Sequence, residues 1–265
     1  MSKVISSDGT AIAFDRAGDG PPVILVDGAL CHRGFGPAKP LAQRLVPHFT
    51  VVTYDRRGRG ESGDTRPYSV EREVDDIEAL VKEAGGSAHL YGISSGAALA
   101  LEAATRLSNV EKLALYEAPF VVDDTTPPRP DDLVAHLDAL IAADRRSEAL
   151  RLFMRIVGTP AFFILIARLL PVWSKLKKVA HTLPYDLRTV DEFGAGKPLP
   201  ADRWASATVP ALVMDGGKSP AWMRNAMRQL ADVLPDARYR TLPGQTHMLK
   251  PDAVAPVLVE FFSAS

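Results

Sequence analysis

Hydrophobic residues in the first 120 positions follow two alternating patterns. Short runs that are apolar at almost every position alternate with longer stretches in which apolar residues recur every three or four positions. The short runs are rich in β-branched and aromatic residues, which is typical of strands buried on both faces, and the spaced pattern is typical of helices. The predicted strands are 23–26, 50–54, 88–91 and 112–116, and the predicted helices are 37–46, 70–84 and 95–107. This alternation predicts a parallel sheet, preceded by a hairpin of 3–6 and 11–16 around the turn Asp8-Gly9.

The pattern changes near Val121. A linker rich in Asp, Thr and Pro is followed by helical spacing alone, over 131–142, 147–157, 160–169 and 175–181. The alternation then resumes with a strand at 209–214, a helix at 220–234, a strand at 238–242 and a helix at 253–262. We therefore predict an α/β fold whose core is formed by residues 1–120 and 204–265, with residues 121–203 inserted as a helical cap. Most apolar side chains of 161–166 are expected to pack on the core, and a few to face the pocket beneath the cap.

Composition and charge narrow the class of partner. Of 265 residues, 31 are basic and 32 acidic. This balance gives the chain no net positive field that would attract nucleic acid or anionic lipid, so we expect a small-molecule substrate. The longest apolar run, 161–170, contains Arg168 and is half the ~20 residues that a membrane span needs. The single cysteine, Cys31, excludes an intrachain disulfide, and the amino terminus has no apolar signal-peptide core. We expect a cytoplasmic protein with no membrane partner, and the oligomeric state is not indicated.

The segment Gly92-Ile-Ser-Ser-Gly96 is a G-x-S-x-G motif between a predicted strand and a predicted helix. A nucleophile at such a junction needs a tight turn, and the two glycines relieve the crowding that the turn creates. The hydroxyl of Ser94 then lies at a helix amino terminus, where unpaired N–H groups stabilise negative charge. Ser95 is the rival hydroxyl, but only Ser94 has glycines placed symmetrically on both sides. Ser94 is the predicted nucleophile.

Serine attacks only when a base removes its proton. His247 lies in a loop between the last predicted strand and the last predicted helix, and such loops share the sheet edge at which Ser94 is expected. His89 lies within a strand, and His32 follows the strand 23–26 and is a candidate for substrate contact. The remaining histidines have no strand-end context: His48, His136 and His181. His247 is the predicted general base.

Four ordered motifs resemble the α/β-hydrolase fold superfamily along nearly the whole chain. They are Asp27-Gly28-Ala29-Leu30 in place of an oxyanion loop that usually begins His-Gly, the turn Tyr54–Ser62, the Gly92–Gly96 motif and the loop Gly244–Leu249. The resemblance implies that the N–H groups of Ala29 and Ser95 form an oxyanion hole. We interpret the charged residues Asp55, Arg57 and Glu61 of the turn as structural.

The acid that orients the histidine departs from the family pattern. Relatives usually carry an Asp where this chain has Ser219, which supplies no negative charge. Glu117 ends the strand after the Ser94 helix, and certain haloalkane dehalogenases resemble this placement, so Glu117 is the predicted acid. Asp215 is the alternative at the end of the next strand. Asp123, Asp124 or a dyad without an acid also remain open.

Together these residues predict hydrolysis of a small, largely hydrophobic carboxylic ester, lactone or thioester through an acyl-enzyme on Ser94. We find no metal cluster, phosphate loop or dinucleotide motif in the sequence, so no metal or cofactor is predicted. C–C bond hydrolysis, acyl transfer and hydroxynitrile-lyase-like chemistry would use the same triad, and a ligand-binding protein without catalysis is a further alternative. We interpret the pair Lys177-Lys178 as a solvated helix face.

Overall fold

The computed structural model describes residues 2–264. The strands in that range are β1 (Ser2–Ile5), β2 (Ala11–Ala17), β3 (Pro22–Val26), β4 (Thr50–Tyr54), β5 (Ala88–Ile93), β6 (Val110–Tyr116), β7 (Ala211–Gly216) and β8 (Ala237–Leu242). The helices are α1 (Ala38–Leu45), α2 (Val70–Ala84), α3 (Ser95–Arg106), α4 (Leu133–Ala142), α5 (Arg146–Ile156), α6 (Ala161–Ala167), α7 (Pro171–Val179), α8 (Leu183–Arg188), α9 (Ala221–Val233) and α10 (Pro251–Ser263). Within this range no helix has both the length and the hydropathy needed to cross a bilayer.

The eight strands form one sheet in the order β1-β2-β4-β3-β5-β6-β7-β8. β1 pairs with β2 and β2 with β4 in the antiparallel sense, and every other neighbouring pair is parallel. The predicted hairpin and the predicted parallel sheet are both confirmed. The order reverses between β3 and β5, which is the position where open α/β sheets bind ligands.

The apolar runs are continuous because the sheet is covered on both faces. Alternate strand residues, such as Val23 and Leu25, pack with α1 and α10 on one face. Their neighbours, such as Ile24 and Val26, pack with α2, α3 and α9 on the other face. Successive side chains of a strand point to opposite faces, so a strand between two helical layers needs an apolar residue at every position.

The carboxyl ends of the parallel strands meet at one edge of the sheet. The register pairs Val26 with Gly92, Ile93 with Tyr116, and Tyr116 with Met214. The residues that directly follow β3, β5 and β6, and the loop that follows β8, therefore emerge along the same edge. This arrangement brings distant parts of the sequence close together.

Element boundaries differ from the predictions mainly around prolines and in the helical segment. The strand predicted at 209–214 begins at Ala211, after Pro210, and extends to Gly216. The predicted helical segment 175–181 corresponds to the end of α7, which begins earlier at Pro171 and ends at Val179, and to the single 3₁₀ turn that follows; α8 then occupies Leu183–Arg188. α8 lies outside every predicted helix. It has only six residues and a proline in its first turn, so it presents too little periodicity to be recognised.

Helix α6 also departs from expectation. Most of its apolar side chains were expected to pack on the core, and of its large ones only Ile164 is buried. Phe162, Phe163, Leu165 and Ile166 are 67%, 60%, 56% and 39% exposed. The expectation of core packing is therefore wrong for these four side chains.

Candidate active site

The turn between β5 and α3 holds Ser94 in a strained conformation. Ser94 has φ 58° and ψ −131°, a backbone conformation that residues other than glycine rarely adopt. A Cβ atom on Gly92 would lie 2.4 Å from the Gly96 carbonyl oxygen, and one on Gly96 would lie 2.2 Å from the Val26 carbonyl oxygen. Only glycine fits at these two positions, because the obstructing atoms belong to the backbone. The tight turn leaves the Ser94 side chain half-buried rather than enclosed.

Ser94 and its rival Ser95 have different surroundings. The Ser95 hydroxyl is buried and donates a hydrogen bond to Asp186 Oδ1 at 2.7 Å. The Ser94 backbone N–H donates to the Tyr116 carbonyl at 2.9 Å, which ties the turn to the end of β6, while its hydroxyl is bound to no partner in the part of the chain that the structure describes. Ser94 is therefore the serine whose hydroxyl is available for reaction.

The loop that follows β3 lies directly beside Ser94. A Cβ atom on Gly28 would lie 2.9 Å from Ser94 Cβ, so the backbone of this loop approaches the serine as closely as a glycine permits. Leu30 has φ 64°, which turns the chain sharply after Ala29. Within residues 2–264 the N–H groups of Ala29 and Ser95 donate to no acceptor. Two free donors next to the serine are what an oxyanion hole requires.

Glu117 and His247 form a hydrogen-bonded pair across the end of the sheet. Glu117 Oε2 lies 2.8 Å from His247 Nδ1, and Glu117 Oε1 accepts a hydrogen bond of 2.7 Å from the Gly216 N–H. Glu117 is fully buried, and the His247 side chain is 34% exposed. Since the carboxylate accepts, the proton of the pair lies on Nδ1. In the neutral form of the ring this leaves Nε2, the nitrogen away from the carboxylate, as the basic atom.

Backbone contacts fix the loop that carries His247. The Tyr116 hydroxyl donates to the Thr246 carbonyl at 2.8 Å, and the Lys218 N–H donates to the Gln245 carbonyl at 2.8 Å. A Cβ atom on Gly216 would lie 2.6 Å from the Gln245 carbonyl oxygen, so the loop packs tightly on the end of β7. These contacts hold the imidazole without using its ring nitrogens.

The other candidate acids lie in different surroundings. Asp215 is fully buried and accepts a hydrogen bond from the Tyr239 hydroxyl, and Asp123 accepts from Thr125 and Asn225. In residues 2–264 neither forms a hydrogen bond with His247. The hydroxyl of Ser219 is buried and has no partner among those residues. Of the predicted acids, the structure brings Glu117 to His247.

The charged turn after β4 forms mostly structural contacts. Asp55 accepts hydrogen bonds from the backbone N–H groups of Arg33 and Glu61, and Arg57 forms a bidentate pair with Asp76. His32, the candidate for substrate contact, uses Nδ1 to accept a hydrogen bond from Gly34 N–H at 3.1 Å. Burial raises the pKa of the Cys31 thiol to about 12, so this residue is a poor nucleophile at neutral pH.

A buried ion cluster joins α8 to the serine turn, and the sequence did not reveal it. Arg56 Nη1 and Arg59 Nη2 donate to the two carboxylate oxygens of Asp186 at 2.8 and 2.6 Å. Arg59 Nη1 also donates to the Gly28 carbonyl at 2.8 Å, next to Ala29. The three charged side chains are each 1% exposed. The cluster thus links the helical segment to the loop that carries Ala29 and to Ser95.

Charge compensation keeps this cluster ionised. Burial acts to raise the pKa of Asp186, but Arg59, Arg56 and the Ser95 hydroxyl hold it below its usual value. Asp186 was missed because it is a single acid within the otherwise uncharged run 179–187, in a helix too short to be predicted. The available signal was the pair Arg56 and Arg59 in the turn Tyr54–Ser62, because two arginines require an acid from elsewhere once they are buried.

Asp27, which stands where the family usually has histidine, is buried beneath the oxyanion loop. Burial raises the pKa of its carboxyl to about 7, while Arg59, the Ala38 N–H and Arg56 act to lower it. A Cβ atom on Gly36 would lie 2.9 Å from Asp27 Oδ2, so the loop encloses this carboxyl closely. Asp27 therefore exchanges a proton in the neutral pH range.

No hydrogen bond joins the Ser94 hydroxyl to His247 in the described range. Such bonds are often long before a substrate binds, and they tighten in the reacting complex.

Among residues 2–264 no three His, Cys, Asp or Glu side chains are grouped so as to hold a metal ion.

Comparisons with known proteins identify the family to which the chain belongs. Residues 23–257 match the model of the alpha/beta hydrolase family. A crystal structure of an alpha/beta hydrolase from Sphaerobacter thermophilus DSM 20745 superposes with a TM-score of 0.90 at 52% identity, covering 99% of this chain and 100% of that one. The uncharacterized hydrolase YraK of Bacillus subtilis (strain 168) is 36% identical over 105 residues, 37% of each chain.

A pimeloyl-[acyl-carrier protein] methyl ester esterase of Xanthomonas campestris pv. campestris (strain B100) is 34% identical over 106 residues. That match spans 40% of this chain and 40% of the esterase, so this chain matches well under half the length of either curated relative. The family match and the Sphaerobacter structure cover almost the whole chain and bear out the predicted fold. The chain belongs to the alpha/beta hydrolase family.

Proposed function

We propose that this hydrolase cleaves a carboxylic ester through an acyl-enzyme on Ser94, with His247 as general base and Glu117 as the acid that orients it. The observation that carries the proposal is the 2.8 Å pair between Glu117 Oε2 and His247 Nδ1, at the sheet edge where Ser94 sits in its strained turn. A buried carboxylate paired to a histidine beside an available serine is the arrangement that acyl transfer needs.

In the acylation step the Ser94 oxygen attacks the ester carbonyl carbon as His247 Nε2 takes the hydroxyl proton. The imidazolium that forms is stabilised by Glu117, and the oxygen that becomes negative accepts hydrogen bonds from the N–H groups of Ala29 and Ser95. Each such donor is worth about 3–4 kcal/mol in the transition state. The intermediate collapses as the carbon–oxygen bond to the alcohol breaks, and His247 returns the proton to the leaving alkoxide.

Deacylation repeats the same chemistry with water. His247 Nε2 removes a proton from a water molecule, whose oxygen attacks the acyl carbon, and the Ser94 oxygen leaves with that proton. The products are the carboxylic acid and the free enzyme. No step changes an oxidation state, and every proton passes through His247.

We further propose residues 121–203 as a cap over a core of residues 1–120 and 204–265. Asp186 supports this division, because it reaches from α8 to the hydroxyl of Ser95, the residue next to the proposed nucleophile. A segment held that close to the serine is positioned to bound the substrate and exclude water. The substrate class we propose is a small, largely hydrophobic ester, lactone or thioester. Within this class, the name of the Xanthomonas relative, an esterase, supports an ester.

Steady-state hydrolysis of short-chain aryl esters tests the proposal. We expect Ser94→Ala to lower kcat by at least about 10⁴-fold, because no other activated hydroxyl is positioned to attack. Ser206→Ala, which alters an exposed serine bound to the Thr105 carbonyl, is the matched control and should retain the rate. Equal rates in the wild type and in Ser94→Ala would refute the acyl-enzyme, and a wild type inactive on all esters would favour ligand binding without catalysis.

A further inference from the structure

Exposed apolar side chains are concentrated in one segment of the chain. Nine large apolar side chains are exposed within residues 2–264, and seven of them lie between Val157 and Leu170. They are Val157, Phe162, Phe163, Leu165, Ile166, Leu169 and Leu170. We call these seven side chains the α6 surface. Single exposed apolar residues are ordinary, but seven of them within the 14 positions 157–170 are a concentration of the kind found at interaction sites.

The geometry of α6 explains why these side chains face outward. Ile164 is buried and fixes the inner side of the helix. At 100° per residue, Phe162 and Ile166 then point away from the core, and Phe163 and Leu165 lie on the flanks. The helix contains no polar side chain, and Leu169 just beyond it is 83% exposed. This outer face therefore offers apolar contact and no side-chain hydrogen bond.

Positive charge surrounds the same segment. Residues 149–185 contain six of the 31 basic residues of the chain and none of its 32 acidic residues. The six are Arg151, Arg155, Arg168, Lys175, Lys177 and Lys178. Of these, only Arg151 takes part in an ion pair within residues 2–264, with Glu148. The near-neutral net charge of the whole chain thus conceals a strongly basic segment, in which five of the six cations form no ion pair with the described residues.

The combination of exposed apolar side chains and unpaired cations indicates which kind of partner the α6 surface binds. A second copy of this chain, related by a two-fold axis, would bring two such basic segments together and oppose its own apolar contact. A protein partner would be expected to use polar anchors such as Tyr, Trp or directed hydrogen bonds, which the outer face of α6 lacks. An anionic bilayer requires neither, since it accepts apolar side chains at the acyl boundary and attracts cations at its surface.

We propose that the α6 surface binds reversibly to the surface of an anionic lipid bilayer. α6 is about 10 Å long. It lies in the interface with Phe162 and Ile166 directed into the acyl region, and Arg155, Arg168, Lys175 and Lys178, all exposed, meet the lipid phosphates. This peripheral contact does not depend on the proposed esterase chemistry.

The test is sedimentation of the purified full chain with vesicles of phosphatidylcholine alone or mixed with phosphatidylserine. We expect the wild type to bind the mixed vesicles, and the binding to be largely lost at about 0.5 M salt, where charge attraction is screened. Phe162→Ser/Phe163→Ser should lower the partition coefficient at least tenfold, an order-of-magnitude expectation from the lost apolar burial. Lys175→Glu/Lys178→Glu should also lower it at least about tenfold, since each cation near an anionic surface contributes about a fivefold change.

Matched controls separate these effects from general changes in surface properties. Ile5→Ser removes a 62% exposed apolar side chain from β1, and Lys3→Glu/Lys39→Glu reverses two exposed charges outside the α6 surface. Both should bind the mixed vesicles as the wild type does, and circular dichroism should show every variant folded. A wild type that ignores the mixed vesicles, or that binds pure phosphatidylcholine equally well, overturns the proposal. A dimer in light scattering that Phe162→Ser/Phe163→Ser dissociates, without vesicle binding, assigns the α6 surface to a second copy instead.

Discussion

Backbone strain at single residues is concentrated around the proposed site. Four residues other than glycine have positive φ within residues 2–264, and three of them, Leu30, Ser94 and Glu117, lie at the carboxyl edge of the sheet. Such conformations cost about 1–3 kcal/mol each, so they persist only where the surrounding structure imposes them. These three residues lie just after three different strands, so the unusual backbone turns are grouped where the proposed oxyanion loop, nucleophile and acid are located.

The Glu117 carboxylate is expected to matter far more to catalysis than the other buried acid. Glu117→Gln keeps the size of the side chain but removes the charge that orients and stabilises His247, and we expect kcat to fall by about 10³–10⁴-fold with a smaller change in KM. Asp215→Asn is the matched control, because Asp215 is equally buried but bound to Tyr239. Ester kinetics on both variants decide the matter, and a larger loss in Asp215→Asn would make Asp215 the acid.

Asp27 is expected to make stability depend on pH in the neutral range. Its folded pKa is about 7 against an ordinary value of 3.8, so between these values the folded protein holds a proton that the unfolded chain has released. The free energy of unfolding therefore falls as pH rises through this window. From about pH 5 to pH 7 the wild type should lose about 2 kcal/mol relative to Asp27→Asn, which cannot ionise. Urea unfolding of both proteins measures this, and parallel pH dependences would show that Asp27 does not titrate there.

The sequence predicted individual site residues to different degrees. Ser94 and His247 were predicted from the residues around them, because each lies where a strand gives way to a helix or loop. Glu117 was selected by a resemblance, since the sequence alone left Asp215 open, and the two lie on neighbouring strands of the sheet. The backbone conformation at Glu117, with φ 48°, determines which of the two acids reaches His247. The sequence has no glycine at this position to indicate such a turn.

At the scale of elements, helix α8 forms two kinds of ion pair: one joins the helical segment to the core, and the other lies within the helical segment. Asp186 is buried against Arg56 and Arg59, whereas Arg188 forms an exposed pair with Asp138 of α4. Removing one member of a buried cluster leaves a charge unpaired in the interior, which strongly lowers the free energy of unfolding. An exposed pair contributes little to that free energy. Asp186 and Arg188, two positions apart on one short helix, are therefore expected to differ greatly in their effect on the free energy of unfolding.

Removing each acid in turn measures that difference. Asp186→Ala leaves two buried guanidinium groups without their shared partner, and we expect the free energy of unfolding to fall by about 3–5 kcal/mol. Asp138→Ala is the control, because it removes the partner of Arg188 on the same helix α8, and it should change the free energy of unfolding by less than about 1 kcal/mol. Urea unfolding followed by circular dichroism gives both values. Similar small losses in the two variants would mean that the buried cluster does not secure α8.

Elements were predicted well where their pattern was long. The 15 residues of α2 show a clear helical spacing, and the strands covered on both faces form short apolar runs. The failures concern α8, which is too short to show a period, and α6, whose apolar composition suggested burial. Composition does not distinguish a buried apolar helix from one that lies at the surface, and only the packing of Ile164 reveals which face of α6 is inward.

For the whole molecule, the parallel sheet explains why the proposed site assembles at all. Ser94, Glu117 and His247 are separated by up to 153 positions in the chain, yet each follows a strand whose carboxyl end lies at the same edge. The strand order that brings those ends together follows from pairings between distant segments, which local periodicity does not specify. The parallel sheet was predictable from the alternation of strands and helices, and the topology around β2 and β4 was not.

Intact-protein mass spectrometry after treatment with a fluorophosphonate tests the central claim, an activated serine at position 94, most directly. We expect the wild type to gain the mass of one phosphonyl group, Ser94→Ala to gain none, and Ser95→Ala, which keeps its backbone N–H, to retain an adduct. Absence of an adduct on the folded wild type, or an adduct that persists in Ser94→Ala and disappears in Ser95→Ala, would contradict the account.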